Sequence, residues 1–112
     1  MHEYSIVQAL YDNVMSHARA QGAKSVEQVH VRIGAISGVE VGLLDTAWRT
    51  FRVHTPCEHA DMHVEVVPAC WECPRCRASA ARSGMLRCAS CGGPLRLTRG
   101  DEIVLDQIVM EV

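Results

Sequence analysis

Aromatic side chains are scarce in this 112-residue chain, at 4%. Two Trp, two Tyr and one Phe offer few flat surfaces on which bases stack, which argues against a single-stranded nucleic-acid groove. Long apolar runs are missing as well: none approaches the roughly 20 residues that cross a bilayer, so no membrane partner is expected. The opening Met-His-Glu-Tyr-Ser lacks the basic stretch followed by an apolar one that marks export. The chain is therefore expected in the cytoplasm, with its thiols reduced. A net charge of −2 excludes the chain as a whole from binding polyanions. No low-complexity linker interrupts it, and the cysteine pairs are its one internal repeat.

What the chain does have is cysteine, six in all, and four of them carry the pattern. Cys70-Trp71-Glu72-Cys73-Pro74-Arg75-Cys76 is followed, after eleven intervening residues, by Cys88-Ala89-Ser90-Cys91. A tetrahedral Zn²⁺ takes four thiolates at about 2.3 Å, and a Cys-x-x-Cys turn points two sulfurs at one spot. Cys70/Cys73 has the same spacing as Cys73/Cys76. The latter is preferred as the first knuckle because Pro74 lies inside it and favours the turn. Gly92-Gly93 lets the backbone curl after the second pair. Cys73, Cys76, Cys88 and Cys91 are thus the expected ligands of a closed structural Zn(II) site.

Charge divides along the chain. From Cys70 to Arg99 six arginines (75, 77, 82, 87, 96 and 99) face the single acid Glu72, a net of +5, and the remaining residues carry a net of −7. A basic insert sits in an acidic body, which reads equally as a solvated basic face and as a docking surface for an acidic partner.

Periodicity places the rest. Ile6, Val7, Leu10, Val14, Met15 and Ala18 recur at helical steps over 3–21, with Gly22 as the stop. Val29, Val31, Ile33 and Ala35 alternate with polar residues, as in a half-buried strand over 26–36, with His30 on its polar side. Ser37 and Glu40 read as a capping box opening a second helix over 40–53, with Leu43, Leu44, Ala47, Trp48 and Phe51 on its apolar face. Residues 54–61 read as loop. Its Cys57 and His59, with His63 beyond, invite a metal reading, but no matching half accompanies them. Residues 62–67 alternate again, Pro68 ends that strand, and 101–112 is an apolar strand expected to return to the body. The expected fold is α+β: a three-stranded sheet with two helices on one face, plus an inserted four-cysteine zinc ribbon. Its domains are 1–68 completed by 101–112, and 69–100.

The N-terminus holds a second set of donors. An α-amine, neighbouring amide nitrogens and the His2 imidazole form a compact set for a cation that favours square-planar nitrogen ligation, Ni²⁺ or Cu²⁺, and Glu3 adds a carboxylate.

Met1-His2-Glu3, the helix behind it, Val29-His30-Val31-Arg32-Ile33-Gly34-Ala35-Ile36-Ser37-Gly38-Val39 and the two cysteine pairs before a C-terminal strand occur in this order. In this the chain resembles, over essentially its whole length, the HypA/HybF family of hydrogenase-maturation nickel metallochaperones. The resemblance implies a carrier of Ni(II), not an enzyme. Nickel would be held at His2 with the Met1 amine and backbone amides, Glu3 lying in the same motif, and zinc at Cys73, Cys76, Cys88 and Cys91. It implies delivery to the [NiFe]-hydrogenase large subunit with a HypB-type GTPase, and in some bacteria work with a urease accessory protein. Two positions depart from the family's habit: Arg77 stands where Gly often follows the first knuckle, and Val41-Gly42 where Pro often opens the second helix.

Other readings are weaker. A nucleic-acid-binding zinc ribbon draws on the arginines but meets an acidic body. A thiol oxidoreductase using Cys73 and Cys76 conflicts with the second pair that completes a metal shell. A zinc deaminase fails because neither knuckle keeps the Pro-Cys-x-x-Cys order and no His-x-Glu lies suitably upstream.

Overall fold

The structure, a computed structural model, describes residues 3–77, 79–80, 87–88 and 90–112. Helix α1 (Glu3–Ala20) buries Val7, Leu10, Val14, Met15 and Ala18, the stripe its sequence period marks. It ends at Gly22, whose φ of +66° reverses the chain. Gly22 N donates to Arg19 O and Ala23 N to Ala18 O, which satisfies the last carbonyls of the helix in a Schellman arrangement.

Strand β1 (Ser25–Gly34) is the centre of the first sheet. It pairs in parallel with β2 (Asp61–Val67) and antiparallel with β6 (Ile103–Glu111). The parallel pair needs a crossover, and α2 (Val41–Phe51) supplies it. Val29, Val31 and Ile33 face the helices and are buried with Leu44, Trp48 and the α1 stripe. Trp48 is fully buried, and its indole N–H donates to the Ala60 carbonyl at 2.8 Å, so the ring's one polar atom is satisfied inside the core. The opposite face carries polar groups. His30 stacks on His63 of the paired strand at 4.7 Å, and Arg32 meets Asp106 at 3.1 Å. This is the expected α+β body, two helices covering one face of a mixed three-stranded sheet.

Two expectations about α2 are corrected. Ser37 is not its N-cap: the Ser37 hydroxyl accepts from Val39 N, while Glu40 caps the helix, its carboxylate accepting from Gly42 N at 3.0 Å. A helix opened by Ser37 would need Gly38 at helical φ, and Gly38 sits at +83°. Leu43 is not on the buried face but 58% exposed. The inward stripe runs through Leu44, Ala47, Trp48 and Phe51, and Leu43 lies one residue, about 100°, off it.

The insert forms its own sheet, ordered β4-β3-β5, from β3 (Cys70–Glu72), β4 (Ser79–Ala80) and β5 (Arg96–Arg99). The sequence reading had knuckles here and no strands; pieces of two to four residues carry too few side chains to show a period. The outgoing and returning chains run side by side. Cys70 pairs with Arg99, and the Thr98 hydroxyl donates to the Cys70 carbonyl at 3.1 Å.

At this neck, backbone packs on backbone. A Cβ on Gly34 would coincide with the Gly100 carbonyl, and one on Gly100, at φ +107°, would meet the Ala69 backbone. Gly34 N and Ile36 N donate to Glu102 O and Gly100 O, so neither strand can step aside without losing bonds. Gly34→Ala is therefore expected to destabilise the protein by about 3 kcal/mol, the upper end for overpacking, read by denaturant unfolding of the zinc-loaded chain.

Candidate metal centres

Four sulfurs converge. The Sγ atoms of Cys73, Cys76, Cys88 and Cys91 all lie within 4.8 Å of one another. Tetrahedral zinc with 2.3 Å bonds sets its sulfurs about 3.8 Å apart, and Cys73 and Cys91 stand at 3.6 Å, so these residues fit the ion. Such an ion would contribute charge neutralisation and a cross-link between two turns. Cys73 and Cys88 are buried, Cys76 and Cys91 exposed.

The two knuckles repeat one backbone solution. Arg77 N donates to Cys73 O, and Gly92 N to Cys88 O, each closing a helical turn over the pair. The residue so placed must then reverse the chain: φ is +71° at Gly92 and +59° at Arg77. The first knuckle thus asks for a glycine conformation at the position where this chain has arginine. Amides also point at the sulfurs: Cys76 N at Cys73 Sγ, Ser90 N at Cys88 Sγ and Gly93 N at Cys91 Sγ, each at 3.4 Å.

These amides divide the proton load. The Cys91 and Ser90 N–H groups pull Cys88 down to about 6, and the Cys76 N–H lowers Cys73. Cys76, crowded first by the Cys91 sulfur, is pushed up to about 12. Without metal the cluster thus holds thiolate at Cys88 beside a thiol at Cys76.

The remaining candidates part company. Cys70 lies half-buried on β3, outside the cluster. Cys57 is buried in the body core, its thiol raised to about 11 by burial, while His59 is exposed and His63 stacks on His30. Cys57, His59 and His63 therefore do not assemble. Met1 and His2 fall outside the described residues. Glu3 opens α1, and its carboxylate accepts from Glu40 N at 3.2 Å, which ties the first turn of α1 to the cap of α2. Sequence reasoning passed over His54 and Glu58; the structure sets the Glu58 carboxylate 3.9 Å from His54 and 3.9 Å from His59. Their one signal is an i,i+4 spacing, readable only if the intervening loop turns helically.

A small mixed sheet carrying a four-sulfur insert defines a metal-handling protein. A family model described as "Hydrogenase/urease nickel incorporation, metallochaperone, hypA" matches residues 1–110. The chain is 34% identical to hydrogenase maturation factor HypA of Shewanella baltica, covering 99% of this chain and 97% of that one. It is 35% identical to that of Aquifex aeolicus, covering 100% and 99%. The solution structure of the Ni metallochaperone HypA from Helicobacter pylori superposes with a TM-score of 0.75 at 29% identity, covering 99% of this chain and 98% of that chain. The chain belongs to the HypA family. It is a nickel metallochaperone of hydrogenase maturation, a maturation factor rather than a catalyst. A nucleic-acid-binding ribbon is not favoured.

Two outcomes are expected of the cluster. Loading it with zinc must displace at least the Cys76 proton, so between pH 7 and 8 affinity should fall about tenfold for each proton released per unit of acidification. The fall should steepen below pH 6, where Cys88 also takes a proton, and calorimetry in buffers of differing ionisation enthalpy counts the protons. Arg77→Gly relieves roughly 1 kcal/mol of left-handed strain and returns roughly 0.5–1 kcal/mol of that to unfolded-chain entropy. Arg77→Gly should leave zinc retention against a chelator unchanged or slightly improved, and Arg77→Val, β-branched at positive φ, should weaken it.

Proposed function

We propose that this chain binds Ni(II) at its N-terminus, through the Met1 amine, backbone amide nitrogens and the His2 imidazole, with Glu3 beside them. It then passes the ion to the [NiFe]-hydrogenase large subunit during maturation. The carrying observation is that the family match begins at residue 1, so Met1-His2-Glu3 lies inside it. Anchoring of the first turn by Glu3 on Glu40 supports a fixed starting point for the ligand set. The amides must lose protons to ligate, so nickel affinity falls with acidity, and a site with open edges yields its ion to thiolates that surround it.

In this reading Cys73, Cys76, Cys88 and Cys91 hold a structural Zn(II). Residues 1–68 with 101–112 form the nickel-binding domain and 69–100 the zinc-binding domain. The exposed arginines 75, 77, 87, 96 and 99 offer the zinc lobe to an acidic surface. The partners are a HypB-type GTPase, the hydrogenase large subunit and, where urease is matured, a urease accessory protein. All of this takes place in the cytoplasm; among the described residues no helix is long and apolar enough to cross a membrane.

Nickel titration of untagged, zinc-loaded protein tests the site. His2→Ala, or two residues inserted before Met1, should abolish the tightest nickel-binding event while zinc content stays at one per chain. Survival of that event in both variants overturns the assignment.

A further inference from the structure

Strand β6 joins the body sheet along one edge and ends it along the other. β1 takes the first edge, and among the described residues no strand takes the second. Natural sheets blunt such an edge with proline, lysine or a very short strand. β6 has none of these: it runs nine residues, Ile103–Glu111, with apolar triplets on either side of Asp106 and Gln107. Beside the edge, Leu105, Ile108 and Met110 line an open groove of about 500 Å³ together with His17 and Gln21 of α1. Those three apolar residues pack against the core yet stay only half-buried.

The register of β6 shows what the edge fits. Ile103, Leu105, Ile108 and Met110 stand opposite Ile33, Val31, Val29 and Val26, all buried, so they face the helices. Val104, Gln107 and Val109 stand opposite Arg32, His30 and Gln28 on the polar face. The ladder skips Asp106, whose carboxylate reaches Arg32 on that same face. Asp106 and Gln107 are neighbours in sequence and yet share a face, as a bulge allows. From 103 to 110 the side chains therefore point in, out, in, out, out, in, out, in, a pattern that reads the same from either end. Two antiparallel copies of one strand are related by a two-fold axis perpendicular to the sheet. Such an axis can pass between residues 106 and 107 only if both lie on one face, and the bulge meets that condition. Ile103 then opposes Met110 of a second copy, Leu105 opposes Ile108, Val104 opposes Val109 and Asp106 opposes Gln107. Each apolar residue of the run meets an apolar one, and the central acid meets an amide rather than a second acid.

We propose that β6 pairs antiparallel with β6 of a second copy of this chain, about a two-fold axis between Asp106 and Gln107, giving an isologous dimer with one continuous sheet. Both copies keep their helices on the same face, so their apolar rows meet beside the two grooves, and the edge N–H and C=O groups gain partners. Glu102 and Glu111, just beyond the symmetric run, oppose one another at its two ends, where both are exposed and solvent screens them. One strand and one helix flank a side make less than the standard interface of about 1,600 Å², so the dimer is dissociable, in the micromolar range. The register uses no residue of the insert and needs no nickel.

Sedimentation of the untagged, zinc-loaded chain without nickel tests the pairing. A monomer–dimer equilibrium is expected over micromolar concentrations. Gln107 is exposed, so its substitution leaves the fold intact. Gln107→Asp sets a carboxylate against Asp106 twice about the axis and should weaken the dimer about tenfold. Gln107→Lys sets an ammonium there and should strengthen it, the gain falling as salt is added. Amides of 103–110 that point away from β1 should exchange more slowly as concentration rises, while β2 at 61–67, the other edge of the sheet, stays unchanged. A chain that is monomeric up to millimolar concentration leaves the edge to a strand of another protein and overturns the proposal. So does a dimer of equal strength in both Gln107 variants, or protection gained on β2 or the insert instead of β6.

Discussion

The antiparallel pairing of β6 against β1 is the constraint on which the rest of this architecture depends. β1 already holds β2 on its other edge, so adding β6 completes the body sheet with a segment from beyond the insert. The chain leaving at Val67 must therefore come back to Ile103, next to where it left. That requirement explains the neck, where Gly34, Gly100 and Ala69 approach too closely for any added Cβ. It also converts residues 68–102 into a closed excursion whose ends are held by hydrogen bonds. A short sheet of three small strands has little apolar area to stabilise such an excursion, and four convergent sulfurs are placed to cross-link it through a metal ion instead.

The sulfur cluster and its surroundings follow the same economy. Each knuckle spends one helical turn, one left-handed residue and one or two sulfur-directed amides, and the two knuckles differ mainly in who occupies the left-handed position. Gly92 adopts it freely; Arg77 does so against its own preference while reaching Glu72 at 3.6 Å. The Arg77 end of that pair is exposed and the pair spans 3.6 Å, so it contributes little, and closure of the turn over Cys73 is what holds Arg77 there. Cys57 offers the contrast. Among the described residues no amide is aimed at its thiol, which sits in apolar packing that disfavours the thiolate, and it behaves as a small core residue.

Sequence period revealed what depends on local repetition. The stripe of α1, the alternation of β1 and β2, the C-terminal strand and the cysteine spacing all state their outcome within a few residues. The choice of Cys73/Cys76 as a knuckle rested on Pro74, and the structure gathers those two sulfurs with Cys88 and Cys91 while leaving Cys70 on β3. What sequence could not show depends on backbone sign or on distant neighbours. The cap moved from Ser37 to Glu40 because Gly38 turned left-handed. Leu43 came out of the core because the helix stripe was narrower than its apolar residues. His54 and Glu58 met because φ at His54 is positive, and no pattern of residue types announces that at a histidine. His59, read with Cys57 and His63, found its neighbours on the loop itself.

Retention and release ask opposite things of a metal site, and this chain has material for both. The cysteine cluster is soft, four-coordinate and half-buried, with amides that stabilise sulfur charge before any ion arrives. An ion held there has no free position through which an incoming ligand can begin exchange, so such a site suits a cross-link. In the proposed function the nitrogen donors for nickel, at the first residues of the chain, belong to the acidic body rather than to the insert. The neck stands between body and insert: backbone packed on backbone is stiff, so an ion released from the proposed N-terminal site need not disturb the turns that hold the insert together.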